Sequence, residues 1–280
     1  MKTTDYSNYE DLDLRQAQLM MAGILKDIAE ICDRHNIRYF LDAGTLIGAV
    51  RHKGFIPWDD DIDIGMLRED YVKFLKVAKT ELPDHLFLQT HENEPEYNIY
   101  QVPCKIRLND TLFIESAIAE NDKMHNGLFV DVLPYDSMPK KKWVYKIQRK
   151  ISNFVLRSFI RLREIPDKLT FKNKITHFIY KIVTKIFPTK RREKLFDFLI
   201  SLNDPDSEYM GYGVDTVWDQ YIYNKEDFYD LIKLEFEGEQ FYAPKNYDSV
   251  LTQLYGDYMT LPKEEDREWH AKTIKKLRKY

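Results

Sequence analysis

The chain has 280 residues, of which 44% are hydrophobic, 31% charged and 14% aromatic, with a formal net charge of −4. This composition is too rich in apolar residues for a disordered chain, yet no apolar run approaches the roughly 20 residues of a transmembrane helix. The two cysteines are too few for a disulfide framework, and the N-terminal segment lacks the apolar core of a signal peptide. We therefore expect a cytoplasmic protein.

The net charge hides a strong asymmetry along the chain. Residues 138–194 carry 18 Lys and Arg against 3 Asp and Glu, a balance of +15, whereas the remaining residues balance to −19. A basic block within an acidic protein favours an anionic partner, either a membrane surface or a nucleic acid.

In chain order, residues 13–36 have apolar side chains at helical spacing and predict a helix. Residues 37–44 read as a strand, and residues 45–54 as a short helix that Thr45 caps and Gly54 terminates. A strand over 61–66 and a helix over 68–82 follow. Further short strands are predicted over 86–90, 100–108, 111–115 and 127–134.

The pattern changes at about residue 138. Residues 140–203 have a purely helical pattern that Pro166 and Pro188 divide into segments, with apolar stripes edged by Lys and Arg. Residues 209–262 are rich in tyrosine. We predict three segments: a catalytic core over 1–137, a basic helical subdomain over 138–203, and a segment over 204–280 that returns to the core. The mixture of helices with closely spaced strands predicts an α/β or α+β fold.

The stretch "WDDDIDIGM", residues 58–66, places aspartates on a segment that alternates like a half-buried strand. On a strand, Asp59, Asp61 and Asp63 share one face, while Ile62 and Ile64 face the core. Carboxylates gathered on one face repel each other unless a cation neutralises them, and Mg²⁺ takes such oxygen ligands together with substrate phosphates. An acidic turn that simply stays in water is the alternative.

Two neighbouring features favour the metal interpretation. Gly44 and Thr45 lie at a predicted strand-to-helix turn, where backbone N–H groups can receive a phosphate. Asp131 lies within the apolar strand "LFVDVLP", where a buried carboxylate needs a partner such as a shared metal ion.

The Gly-Thr turn, the D-x-D strand and the third carboxylate together resemble the nucleotidyltransferase superfamily. With "AVRHKGFIPWD" between them, and with "GLFVDVLPYD" and "YAPKNYDSVLTQLYGDYMTLP" followed by a histidine, the chain is similar to the LicD cholinephosphotransferase family. The resemblance spans about residues 20–270. It implies an α+β fold with a nucleotidyltransferase-like mixed sheet flanked by helices. The resemblance is weakest in the basic helices, and the additional basic α-helical subdomain is predicted from the sequence pattern alone.

The resemblance also implies an activity: transfer of phosphocholine from CDP-choline to a cell-surface glycan precursor, of the teichoic acid or lipopolysaccharide type. Asp61, Asp63 and Asp131 become the catalytic residues and, with Asp59, the ligands of Mg²⁺ or Mn²⁺. Whether Asp131 acts as a ligand or as the base for the acceptor hydroxyl stays open. Asp60 faces the other way and is interpreted as solvated or supporting.

Further residues are candidates for binding the substrate. Arg51, His52, Lys105 and Arg107 are candidate phosphate contacts, with an ordinary surface cation as the alternative for each. Trp58 is a candidate for an aromatic cage around a quaternary ammonium, and His270 ends the C-terminal motif.

The expected partners are a CDP-linked alcohol donor and a glycan or lipid-linked glycan acceptor. The basic helices over 140–187 have the pattern of peripheral membrane helices, with a solvated face of a packed subdomain as the alternative. The chain would then work at the inner face of the membrane.

Three other functions stay open at this point. One is transfer of another phospho-alcohol, such as ribitol or ethanolamine, and another is nucleotidyl transfer to RNA. The third is a non-catalytic metal-binding module. No RNA-binding motif accompanies the basic block, and no nucleic-acid partner is expected.

Overall fold

The structure, a computed structural model, describes residues 8–95, 97, 102–115, 124–163, 171–217, 221–267 and 271–278. Within these ranges the α-helices are α1 (Leu14–His35), α2 (Ala43–His52), α3 (Arg68–Glu81), α4 (Lys142–Arg163), α5 (Phe171–Ile186), α6 (Thr189–Ile200) and α7 (Tyr247–Tyr255). The strands are β1 (Tyr9–Asp11), β2 (Phe40–Leu41), β3 (Asp63–Leu67), β4 (Leu86–Gln89), β5 (Cys104–Leu108), β6 (Thr111–Glu115), β7 (Phe129–Ser137), β8 (Tyr209–Tyr212), β9 (Tyr223–Asn224), β10 (Leu231–Phe236), β11 (Glu239–Pro244) and β12 (Ala271–Leu277).

Helix α1 forms where the apolar periodicity predicts it. Asp13 caps its start, because the side chain accepts a hydrogen bond from Gln16 N–H at 2.8 Å, and the Gln16 side chain accepts from Asp13 N–H in return. Asn36 ends the helix in the left-handed region, with φ of 49°. The apolar stripe of α1 is buried in the main core of the protein.

The central sheet is mixed. Its strands lie in the order β2-β3-β7-β5-β4, and β8 pairs with the far end of β7 and with β9. Only β3 and β7 run parallel among these pairs. Helices pack against this sheet, so the fold is α+β, which confirms the predicted class.

A second sheet joins distant parts of the chain. Strand β12 lies between β1 and β6 and pairs with both in antiparallel register, while β10 and β11 form a separate hairpin. Strands β10, β11 and β12 thereby contribute residues to the same apolar core as α1 and the central sheet.

Helices α4, α5 and α6 occupy residues 142–200, and α4 and α5 pack against each other. A small apolar cluster of Leu156, Phe196, Leu199 and Val214 lies between α4, α6 and the segment after β8. The segment boundaries at 137/138 and 203/204 stay predictions.

Candidate active site

The acidic segment before β3 alternates in burial as its sequence predicts. Asp59, Asp61 and Asp63 are half-buried, and Asp60, Ile62 and Ile64 are buried. The ladder of the central sheet begins only at Asp63, so the predicted strand over 61–66 starts two residues later than expected. We call residues 59–62 the acidic loop.

Strands β3, β7 and β5 place three charged residues in one row across the sheet. Asp63 lies opposite Asp131 in the parallel pair, and Asp131 lies opposite Lys105 in the antiparallel pair. Directly opposed residues project from the same face of a sheet. Nζ of Lys105 lies 2.8 Å from Oδ1 and 3.0 Å from Oδ2 of Asp131, so the buried carboxylate has a cationic partner within the protein.

Electrostatic repulsion is strongest at Asp63. Burial raises the pKa of Asp63 well above its ordinary value, and the nearby carboxylates of Asp61, Asp131, Asp42 and Asp59 raise it further. A divalent cation bound there would relieve that repulsion, and carboxylate oxygens are the ligands that Mg²⁺ prefers. A divalent cation would therefore be favoured beside Asp63, which lies opposite Asp131 and directly follows the acidic loop.

The acidic loop contains three carboxylates that lie close together. Asp59, Asp60 and Asp61 each bring one carboxylate oxygen within 4.8 Å of the others. Asp60, however, is 1% exposed, and its Oδ2 accepts a hydrogen bond from Ala271 N–H at 2.6 Å. Of its two predicted roles, the solvated one is wrong, because this carboxylate ties the acidic loop to β12.

The start of α2 lies against the acidic loop. A Cβ atom added to Gly44 would lie 3.0 Å from Oδ2 of Asp59. The helix begins at Ala43 with Asp42 as its N-cap, so Thr45 lies inside α2 and does not cap it. The buried hydroxyl of Thr45 accepts a hydrogen bond from Asp63 N–H at 2.9 Å, so this residue positions the start of β3. The phosphate role predicted for the Gly44-Thr45 turn stays a prediction.

Arg51 and His52, at the end of α2, bond to each other and to the chain beyond α7. Nε of Arg51 donates to Nε2 of His52 at 2.9 Å, and Nη1 donates to the carbonyl oxygen of Tyr258 at 2.8 Å. Burial and the Arg51 charge lower the pKa of His52, which favours the neutral imidazole. The phosphate contact predicted for this pair stays a prediction.

Arg107 lies deeper in the protein than its spacing from Lys105 suggests. It is 1% exposed, and its guanidinium donates to Oε1 of Gln89 at 2.7 Å and to the carbonyl oxygen of Gly127 at 2.6 Å. These contacts join β5 to neighbouring segments of the chain. The phosphate contact predicted for Arg107 stays a prediction.

Trp58, directly before the acidic loop, is half-buried. The guanidinium of Arg267 lies over its ring, 4.2 Å from the centroid. This cation occupies one face of the indole, which leaves that face unsuited to a second cationic group. The predicted site residue His270 lies outside the described residues.

Asp42 and a group of tyrosines complete the surroundings of Asp63, and the sequence predictions missed this carboxylate. Burial raises the pKa of Asp42 to about 6, although hydrogen bonds from Tyr135, Ala43 N–H and Tyr212 oppose the rise. The position of Asp42, directly before "AGT", is typical of an N-cap and is the signal that was available.

Tyr255, at the end of α7, lies close to the carboxylates. Burial raises the pKa of Tyr255, and four aspartates contribute to the rise, namely Asp63, Asp42, Asp59 and Asp61. Averaged over the whole residue, Tyr255 is nevertheless 47% exposed, whereas the neighbouring Tyr223 is fully buried. An aromatic ring thus lies at the surface beside the acidic site.

The sequence of this chain is similar to those of several known proteins. The family model described as "LicD/FKTN/FKRP, nucleotidyltransferase domain" matches residues 36–166. A Haemophilus influenzae protein named lipopolysaccharide cholinephosphotransferase LicD is 34% identical over 272 residues, which are 92% of this chain and 96% of that protein.

Two further relatives match shorter parts. An uncharacterized protein of Rickettsia typhi is 46% identical over 121 residues, 43% of this chain and 34% of that protein. Human ribitol 5-phosphate transferase FKRP is 39% identical over 57 residues, 20% of this chain and 10% of that protein. Because the Haemophilus protein is matched over nearly its whole length, and the family model covers the strands that carry Asp63 and Asp131, this chain belongs to the LicD family.

Proposed function

We propose that this protein is a phosphocholine transferase that uses CDP-choline as donor and a hydroxyl group of a cell-surface glycan precursor as acceptor. The near full-length match to a lipopolysaccharide cholinephosphotransferase is the observation that carries the proposal. The row of Asp63, Asp131 and Lys105 supports it, because phosphoryl transfer depends on charged groups held in fixed positions.

In this proposal, a divalent ion, Mg²⁺ or Mn²⁺, is held by Asp61, Asp63 and Asp131, with Asp59 as a further ligand. When bound, such an ion neutralises charge on the transferred phosphoryl group and on the leaving phosphate. The crowding of carboxylates around Asp63 supports this set of ligands.

The proposed reaction is a single displacement at phosphorus. The acceptor oxygen forms a bond to the phosphorus that bears choline, the bond from that phosphorus to the oxygen of CMP breaks, and CMP leaves. The proton of the acceptor hydroxyl passes to a carboxylate. We assign this role or metal binding to Asp131, whose negative charge is offset by the Lys105 ammonium 2.8 Å from Oδ1.

The choline group requires a surface that binds a cation without hydrogen-bond donors. Aromatic faces provide such a surface. Tyr255, exposed beside the carboxylates, and the half-buried Tyr221 are the residues we propose for this contact. Transfer of ribitol phosphate is the second candidate, which the local match to a ribitol 5-phosphate transferase favours.

We also propose that the reaction takes place in the cytoplasm. Both cysteines are buried and free, which suits a reducing compartment. Among the described residues, no helix has the length and apolar character needed to cross a bilayer.

The first test is calorimetric titration of CDP-choline, CDP-ethanolamine, CDP-ribitol and ATP in the presence of Mg²⁺. We expect selective binding of CDP-choline, and release of CMP once an acceptor glycan is added. In Asp61→Ala/Asp63→Ala, binding should weaken at least tenfold, while thermal stability without metal should not fall, because the substitution removes like charges.

Asp206→Ala/Glu208→Ala is the matched control, since it removes two exposed carboxylates at the same spacing and should leave binding unchanged. Selective binding of CDP-ribitol would move the proposal to ribitol phosphate transfer. Binding of ATP alone would favour nucleotidyl transfer, and no binding of any nucleotide would leave only a metal-binding role.

A further inference from the structure

Helices α4 and α5 expose their large apolar residues to solvent. On α4 these residues follow one another at intervals of three or four and are Trp143, Ile147, Ile151 and Phe154. On α5 they are Ile175, Phe178, Ile179, Ile182 and Ile186. Trp143 is 61% exposed and Phe178 is 63% exposed, so these apolar stripes point outwards and not into the core.

The opposite face of α4 holds the helix on the protein through polar contacts and through Leu156 in the small apolar cluster. Gln148, Arg149 and Ser152 are all buried. The Gln148 amide donates to the carbonyl oxygen of Leu199 at 2.7 Å, and the Arg149 guanidinium donates to that of Gly213 at 2.8 Å. The apolar stripe of α4 is therefore not needed to attach the helix, and it stays available for another contact.

Exposed cations border both stripes. They are Lys146, Lys150 and Arg157 on α4, and Lys174, Lys181 and Lys185 on α5. Neither helix contains an Asp or Glu residue. Apolar residues flanked by cations, with an aromatic residue near one end, are typical of helices that lie in the interface of an anionic bilayer.

We propose that the apolar stripes of α4 and α5, with these bordering cations, form a membrane-binding surface for anionic phospholipids. Charge complementarity selects this occupant over a second copy of the chain, because two such surfaces facing each other would bring like charges together. A nucleic acid would use the cations but would leave the exposed isoleucine side chains in water. The inference concerns binding alone and does not depend on the transferase reaction.

The attachment of α4 connects this surface to the candidate active site. Arg149 contacts the segment after β8, and Val214 N–H in that segment donates to Oδ2 of Asp136 on β7 at 3.0 Å. Strand β7 also carries Asp131. Binding to a membrane would thus hold the acidic site at a fixed height above the lipid.

Flotation of the full chain with phospholipid vesicles tests the proposal. We expect it to float with vesicles of phosphatidylcholine and phosphatidylglycerol at 7:3, and at least tenfold less with phosphatidylcholine alone. Raised salt should reduce binding to the anionic vesicles. Ile147→Ser/Ile151→Ser should lower that binding at least tenfold and leave titration with CDP-choline unchanged.

Leu19→Ser/Val72→Ser is the control, because it removes two exposed aliphatic side chains from α1 and α3. An equal loss of binding to anionic vesicles in this control would overturn the proposal. So would a parent protein that does not float with anionic vesicles. A dimer in size-exclusion chromatography that Ile147→Ser/Ile151→Ser converts to a monomer would instead assign the surface to a second copy.

Discussion

Lys105 and Asp131 face each other across β5 and β7, and both are almost completely buried. A buried carboxylate is costly without a partner, and here Asp63 adds a like charge on the neighbouring strand. The ammonium of Lys105 therefore supports the acidic site before any substrate arrives. The ring of Phe129, whose centroid lies 3.5 Å from Nζ, holds the ammonium from one side.

Replacing Lys105 with Met tests this role. We expect the free energy of unfolding to fall by about 3–5 kcal/mol, the usual cost of removing one partner of a buried ion pair. Because the substitution leaves the carboxylates uncompensated, Mg²⁺ should raise the melting temperature of the variant more than that of the parent protein. Thermal unfolding with and without Mg²⁺ measures both effects.

The control is Lys76→Met, which replaces an exposed lysine on α3. It should change the free energy of unfolding by less than about 0.5 kcal/mol. An equal response to Mg²⁺ in the Lys105 variant and the parent protein would contradict the supporting role.

At this scale the sequence indicates which side chains share a face but not how deep each one lies. The alternation of Asp59, Asp61 and Asp63 with buried residues was predictable from period two. The depth of Arg107 was not predictable. A spacing of two residues places Lys105 and Arg107 on the same face of β5, but it does not indicate how deeply either side chain is buried. Partners distant in sequence, such as Gln89 and Gly127, decide that depth.

Helix α2 and strand β3 are joined at their starts. Asp42 caps the helix, and its N–H donates to the carbonyl oxygen of Asp63 at 3.0 Å. Ala43, the first helical residue, has φ of 45°, a conformation that a residue with a Cβ rarely adopts. The strained turn and the Thr45 hydroxyl together fix where Asp63 begins the strand.

Thr45→Val should remove the acceptor of Asp63 N–H while keeping the side-chain volume. We expect a loss of about 1–3 kcal/mol in the free energy of unfolding, since a buried donor is left unsatisfied. Affinity for Mn²⁺ should fall as Asp63 shifts. Urea unfolding and metal titration are the measurements, and Thr45→Ser, which keeps the hydroxyl, should behave nearly like the parent protein.

Elements with strong local periodicity were predictable, and elements formed by distant pairing were not. Helices α1 and α3 follow from apolar spacing within a single segment. Strand β12 pairs with β1 and β6, which lie far away in the sequence, so no local pattern in the tail predicts it. The strand predicted over 37–44 shortens to β2, because only two of its residues meet β3.

Across the molecule, Arg68 joins α3 to β7 and to the segment that anchors α4. Its guanidinium contacts Asp136 at 2.7 Å and Asp215 at 2.7 Å. Burial alone would raise the pKa of Asp215, but the charge of Arg68 outweighs it and holds this pKa below its ordinary value.

This lowered pKa predicts a pH dependence of stability. A carboxylate whose pKa is lower in the folded protein stabilises it above the ordinary value of about 3.9, and that contribution is lost as the pH falls towards the folded pKa. Asp215→Asn should therefore cost roughly 1.5–3 kcal/mol at pH 7. The difference in the free energy of unfolding between this variant and the parent protein should become smaller below about pH 4.

Urea unfolding between pH 3 and pH 7 provides the measurement. Asp206→Asn, at an exposed position, should show no such trend. A cost for Asp215→Asn that is the same at every pH would mean that the ionised carboxylate does not account for it.

The bond from Ala271 to Asp60 has a consequence for the order of events at the ribosome. The two residues are separated by 211 positions, and translation at about 5–20 residues per second puts roughly 10–40 seconds between them. During that interval the aspartate-rich segment is already made but still lacks the backbone donor that holds Asp60. A nascent chain therefore completes the hydrogen bonds of this segment only after the start of β12 has been synthesised.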